Sequence, residues 1–212
     1  KNMYSVENYL MNYKKNGVGK IHLIVEGDHS EVDNQFDSVT LLDKGSLSEV
    51  DTLNQALEYL RNADGDIIIA YADTIFENQI LVNEREFELF DALIIGTYFT
   101  PDKFEKKENY DVVRIFENFD SEFLTRFLVD SVCTKSKVES DEFLWGGLIV
   151  VPSKSKEVLL TLLDNSVETK NAERRSIPDL INEMIHRGMR VALRITFTRW
   201  IEFDDVTLRV NG

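Results

Sequence analysis

Apolar and polar positions alternate with two periods along this chain, and the switches between them divide it into strands and helices. Residues 4–16 carry Val6, Tyr9, Leu10 and Tyr13 at helical spacing and Gly17 stops the run, which predicts an opening helix. KIHLIVEGD follows as a mostly buried strand whose tip is Glu26-Gly27-Asp28. SVTLL at 38–42 predicts a second strand, and 49–61 a helix with Leu53, Ala56, Leu57 and Leu60 on one face and Ser48 or Asp51 as its cap. After the turn at Ala63-Asp64-Gly65-Asp66, the run at 67–70 reads as a central strand covered on both faces, leading to Asp73.

ALIIGTYF at 92–99 predicts a further strand closed by Pro101, and 111–116 another. The stretch 117–140 is the least legible; its pattern suggests a short helix around Glu122–Val129 and then a polar loop. FLWGGLIVVP is a strand ended by Pro152, and 155–167 is a helix with Val158, Leu159, Leu162 and Leu163 in phase. IPDLINEMIHRG has proline in its first turn and glycine at its end, as helices prefer. RVALRITF and the closing RWIEFDDVTLRV complete the order. Strands alternate with helices, no repeat is visible and no Pro/Gly/Ser-rich linker divides the chain. The expectation is one α/β domain over residues 1–212, a mostly parallel, mixed sheet flanked by helices.

Composition narrows the function. The 212 residues are 43% apolar, enough for a sizeable core, and no apolar run is long enough to span a bilayer. One cysteine, Cys133, allows no internal disulfide, so a reducing, cytoplasmic setting is expected. With 24 basic and 38 acidic residues the net charge is −14, which argues against a nucleic-acid partner held on a broad basic surface. An acidic protein still binds a polyphosphate where a divalent cation lies between carboxylates and phosphate oxygens. In open α/β sheets ligands bind beyond the carboxyl ends of the strands, and Asp73 and Asp204-Asp205 both follow such ends. Two hard oxygen ligands suit Mg²⁺ or Mn²⁺; aspartates at strand ends also cap turns.

GDIIIAYADTIFENQIL resembles the strand of sugar-nucleotide pyrophosphorylases and related nucleotidyltransferases that ends in a Gly-Asp pair, with Ala72 in place of the glycine. The ending from IPDLINEMIHRG to TLR is similar to that superfamily's helix, glycine, strand and Trp-x-Glu-Ile-Asp, with Trp200, Glu202, Phe203 and Asp204 in those places. SVENYLMNYKKNGVGKIHLIVEGD resembles its first helix and second strand, and FLWGGLIVV its glycine-bearing strand, all in the family order.

The resemblance implies a nucleotide-diphospho-sugar transferase fold, a Rossmann-type arrangement shared with nucleotide-sugar glycosyltransferases. It implies that Asp73 and Asp204 hold Mg²⁺ or Mn²⁺ and form the catalytic centre. Trp145, Gly146, Gly147 and Glu142 then lie near the sugar, Gly27 and Thr52 near the nucleotide base, and Asp205 beside the metal or acceptor. Asp51 stands where the family often has glycine before threonine. The family also begins with a strand and a glycine-rich phosphate loop that nothing in residues 1–20 matches, so residues upstream of Lys1 are expected.

Three activities fit these features. The first is a metal-dependent nucleotidyltransferase joining a nucleoside triphosphate to a sugar-1-phosphate or similar phosphomonoester, in the service of polysaccharide or lipid precursors. The second is a glycosyltransferase passing the sugar of a nucleoside diphosphate sugar to a glycan acceptor with Mn²⁺, although Tyr71 and Ile75 stand where an Asp-x-Asp signature needs its second acid. The third is a nucleotide-sugar-binding domain without turnover.

Overall fold

The computed structural model describes residues 13–14, 17–26, 36–42, 48–71, 74–76, 84–98, 109–116, 126–168, 175–196 and 200–202. Strands β1 (His22–Glu26) and β2 (Ser38–Leu42) pair in parallel, His22 opposite Ser38. Helices α1 (Glu49–Gln55) and α2 (Leu57–Asn62) lead to β3 (Ile67–Ala70), β4 (Thr74–Phe76), α3 (Glu84–Leu89) and β5 (Ala92–Tyr98). Then come β6 (Tyr110–Ile115), β7 (Arg126–Lys135), β8 (Phe143–Val151), α4 (Lys156–Glu168), α5 (Ile177–His186), β9 (Val191–Ile195) and β10 (Trp200–Glu202). A six-stranded sheet in the order β3-β8-β5-β9-β7-β6 forms the centre, and β6 also pairs with the start of β8. It is mixed: β5 and β9 run in parallel, while β8 is antiparallel to both β3 and β5.

Strand β5 explains the layering. Ala92 and Ile94 belong to one core and Leu93 and Ile95 to another, all at most 1% exposed, because a strand covered on both faces is apolar at every position. On the first face α4 and α5 contribute Leu159, Leu163, Leu180 and Met184. On the second, Phe90 joins the core, with Phe87 of α3 and Tyr13 packed against it. Helices on both faces of a mixed sheet give the expected α/β architecture, but the sheet is not mostly parallel: among its described pairings only β5 with β9 is parallel, the others antiparallel.

Four local expectations hold in detail. Gly17 has φ 85 and its amide reaches the Lys14 carbonyl, as a helix stop does, while most of the helix expected over 4–16 lies outside the described residues. Ser48 is the cap of α1, accepting the Asp51 amide at 3.1 Å. Pro152 follows the last residue of β8, and α5 has Pro178 in its first turn and Gly188, at φ 83, just past its end; a capping box of Ser176 and Asp179 opens it as well.

Three expectations need correction. The helix over 49–61 is two helices, broken at Ala56 (φ −96, ψ 10). Residues 126–135, assigned to the end of a helix and a polar loop, form a ten-residue strand. Strand β3 is not covered on both faces, since Ile67 and Ile69 are buried while Ile68 between them is 36% exposed.

Candidate active site

Strands β3, β5 and β9 point the same way, so their carboxyl ends and the start of β8 share one edge of the sheet. Tyr98 at the end of β5 is the register partner of Phe143 at the start of β8, and their rings lie 4.9 Å apart. Thr97 Oγ1 donates to the Thr196 carbonyl at 3.0 Å, and the Thr196 amide donates to the Gly96 carbonyl at 2.8 Å, which fastens the ends of β5 and β9.

The two candidate metal ligands, Asp73 and Asp204, lie outside the described residues, as do Gly27 and Asp205. Their described neighbours are informative. Strands β4 and β10 pair antiparallel, with Thr74 opposite Glu202. Thr74 is the residue after Asp73, and Glu202 stands two before Asp204. The chain therefore joins, by a three-residue ladder, the two segments that spacing alone left unrelated.

Gly146 and Gly147 have a backbone reason. Between Ile94 and Gly96, β5 advances two residues while β8 goes from Ile149 to Trp145, so β8 bulges around the glycine pair. Gly147 adopts φ 68, a conformation that favours glycine, and its carbonyl accepts the Tyr71 amide at 3.0 Å. Trp145 is 5% exposed, donates its indole N–H to the Leu148 carbonyl at 3.2 Å, and meets the Tyr71 ring edge-on at 5.4 Å. Its ring is part of the core behind the edge.

Thr52 lies in the first turn of α1, where its hydroxyl donates back to the Ser48 carbonyl at 3.0 Å. Glu142 has a side chain only 2% exposed, yet both its oxygens are engaged. Oε1 accepts from Arg114 Nε at 2.8 Å and from Lys135 Nζ, and Oε2 accepts the Glu139 amide at 3.0 Å. Burial alone pushes this carboxyl up; the hydrogen bonds from Lys135, the Glu139 amide and Arg114 outweigh burial and hold it below the usual carboxylate range. A buried carboxylate with these partners is an anchor for two cations.

Arg114, Lys135 and Tyr71 were missed by pattern reading. A single arginine inside the apolar run YDVVRI and a tyrosine ending IIIAY were the available signals, since a polar group at such a place needs a partner. Among the described residues no cluster of three or more His, Cys, Asp or Glu side chains is arranged to hold a metal ion. Among them too, no helix is long and apolar enough to cross a membrane.

No protein-family model matches the sequence, and no curated protein sequence matches it. Solved structures do match. The CTP:phosphocholine cytidylyltransferase of Streptococcus pneumoniae aligns over 95% of this chain and 80% of its own, with TM-score 0.67 and 15% identity. The inositol-1-phosphate CTP transferase of T. maritima aligns over 94% of this chain and 76% of its own, with TM-score 0.63 and 15% identity. The UTP-bound UGPase of Acinetobacter baumannii aligns over 92% and 76%, with TM-score 0.62 and 14% identity. The chain thus has the fold of nucleotidyltransferases of the sugar-nucleotide pyrophosphorylase type, as its motif order implied.

Proposed function

We propose that residues 1–212 act as one domain that transfers a nucleotidyl group from a nucleoside triphosphate to a sugar-1-phosphate or similar phosphomonoester. The observation that supports this reading is the pairing of β4 with β10, because it sets Thr74, the residue after Asp73, opposite Glu202, two residues before Asp204, in a chain with a nucleotidyltransferase fold. A phosphate oxygen of the acceptor attacks the α-phosphorus in line, a new P–O bond forms, and the bond to the β-phosphate oxygen breaks with pyrophosphate leaving. No covalent intermediate with the protein is needed.

The donor set, two carboxylates without thiol or imidazole, fits a hard cation, and Mg²⁺ or Mn²⁺ on Asp73 and Asp204 would neutralise charge at the reacting phosphate. Asp205 is assigned to the metal's water or the acceptor, Gly27 and Thr52 to the base, and the Glu142 to Gly147 segment to the acceptor's side of the site. Neighbours with the same fold act on CTP and phosphocholine, on inositol-1-phosphate and CTP, or hold UTP, which supports a pyrimidine triphosphate as the first donor to try.

The test is Asp73→Asn. Pyrophosphate release falls by about a hundredfold or more while the melting temperature stays near that of the parent, as expected when a charge stabilising the transition state is removed. A near-normal rate refutes the assignment. Beforehand, a thermal-shift panel of five triphosphates and several nucleoside diphosphate sugars, with and without Mg²⁺ or Mn²⁺, identifies the donor. Binding at a hundred times the dissociation constant adds about 2.7 kcal/mol and raises the midpoint by several degrees. A shift with diphosphate sugars alone would replace this reading with a glycosyltransferase.

A further inference from the structure

Tyr71 and Glu49 were singled out by no motif, and they meet where β3 ends. The Tyr71 hydroxyl donates to Glu49 Oε2 at 2.8 Å, and the same oxygen accepts the amide of Ile177 at 2.7 Å. Glu49 is the first residue of α1 and Ile177 the first of α5, so one carboxylate oxygen joins two helix starts and a strand end. The amide of Val50 donates to the Arg175 carbonyl at 3.2 Å and binds the same two helices a second time. On its other side Tyr71 is held by β8, through its amide on Gly147 and its ring against Trp145. The end of β3 is thus held on two sides, by β8 and by the α1/α5 junction.

An ordinary exposed tyrosine needs none of this. A hydrogen bond between an accessible hydroxyl and an accessible carboxylate adds little stability, and the Ile177 amide already has its acceptor without Tyr71. What the hydroxyl adds is a second hold on Tyr71, two residues before Asp73 in the chain.

We infer that Tyr71 and Glu49 are a positioning pair, which aims the segment leaving β3 by tying it to the first turns of α1 and α5. The inference rests on the reading that Asp73 serves the reaction. Positioning errors of about 1 Å cost roughly a hundredfold in rate, so the pair acts on turnover far more than on folding.

The experiment compares Tyr71→Phe, Glu49→Ala, Glu49→Gln and the double variant Tyr71→Phe/Glu49→Ala in the full chain. The assay is pyrophosphate release with CTP, UTP or dTTP, whichever the unmodified protein uses. Tyr71→Phe lowers kcat by about tenfold to a hundredfold, leaves KM for the triphosphate within about twofold, and moves the melting temperature by no more than about 2–4 °C. Glu49→Gln restores most of the rate, since its amide oxygen still accepts both donors. The double variant is no slower than Glu49→Ala, because both changes break one link. Unchanged kcat in Tyr71→Phe, or additive losses in the double variant, overturns the inference and leaves the proposed reaction standing. If the unmodified protein neither turns over nor binds any triphosphate, the functional reading itself falls, and the pair has nothing to position.

Discussion

Replacing Gly96 with alanine tests the packing on which the edge depends. Gly96 sits in β5 between β8 and β9, directly opposite Trp145 and just past the bulge. An alanine Cβ there would lie 2.6 Å from the Leu144 carbonyl oxygen and 2.8 Å from Leu193 Cδ1. Leucine can swing its methyl aside; the carbonyl belongs to the backbone of β8 and can move only with the strand. Overpacking of this kind costs about 1–3 kcal/mol. Against it stands the stiffening of the unfolded chain, worth about 0.4–1 kcal/mol, because Gly96 has no left-handed backbone angle and alanine can adopt its conformation. The net loss is about 1–2 kcal/mol, or a fall of roughly 2–8 °C in melting temperature for a chain this long. Gly19→Ala is the control: nothing lies within 4 Å of its Cβ and its φ is also ordinary, so only the stabilising effect remains. Urea unfolding of both variants, with unchanged m-values, gives the difference directly. If Gly96→Ala proved as stable as Gly19→Ala, β5 and β8 would not approach as closely as described, and the bulge that shapes the start of β8 would lose its basis.

Two further predictions concern pH. His22 has both ring nitrogens on hydroxyls, Nδ1 to Ser38 at 2.7 Å and Nε2 to Thr40 at 2.8 Å, and stacks on Tyr59 at 4.2 Å. Burial lowers its pKa, so the unfolded chain binds the proton more readily; the stability due to His22 is complete above about pH 6.5 and declines as pH falls through the lower folded value. Between pH 7.5 and 5.5 the parent should lose more melting temperature than His22→Gln, and equal losses would exclude the assignment. Glu142 has the same sign in a lower window. Its depressed pKa makes its contribution complete above about pH 4.3 and lost as pH falls through the lowered folded value, so Glu142→Gln, weaker by about 2 kcal/mol at pH 7, should converge on the parent on acidification. A constant gap across that range would show that the carboxylate charge is not what holds Arg114 and Lys135.

The elements that pattern reading recovered are those with a single strong period and clear punctuation. Strand β8 is nine apolar or glycine residues stopped by Pro152, and α5 is bracketed by Ser176, Pro178 and Gly188. The elements it misread carry a local irregularity. In β7 the register against β6 skips Asp130, since Arg114 faces Ser131 and Ile115 faces Val129. That bulge leaves Val129 and Val132 both buried three positions apart, a helical interval inside a strand. Ala56 hides the break between α1 and α2 for the opposite reason: it is a strong helix former, buried and in phase, and nothing local announces a break there. The glycine pair in β8 was legible as a place without side chains, but the left-handed backbone of Gly147 and the bulge it permits were not, because they depend on the pairing with β5.

The charge balance gives the proposed function its sharpest constraint. Arg114 and Lys135 share the single charge of the buried Glu142, in a chain whose net charge is −14. A triphosphate approaching the carboxyl edge would therefore meet a cation pair with one of its two charges already balanced, set in a repulsive background field. Backbone donors at the edge lower that cost without reversing its sign. On the proposed reading, affinity for a nucleotide comes mainly from a divalent cation that carries the phosphates to the carboxylates, and chelation should abolish the thermal shift rather than weaken it. An Arg114→Ala variant that loses nucleotide binding while metal dependence stays weak would reverse that order, and would make the cation pair, with Glu142 as its holder, the phosphate site.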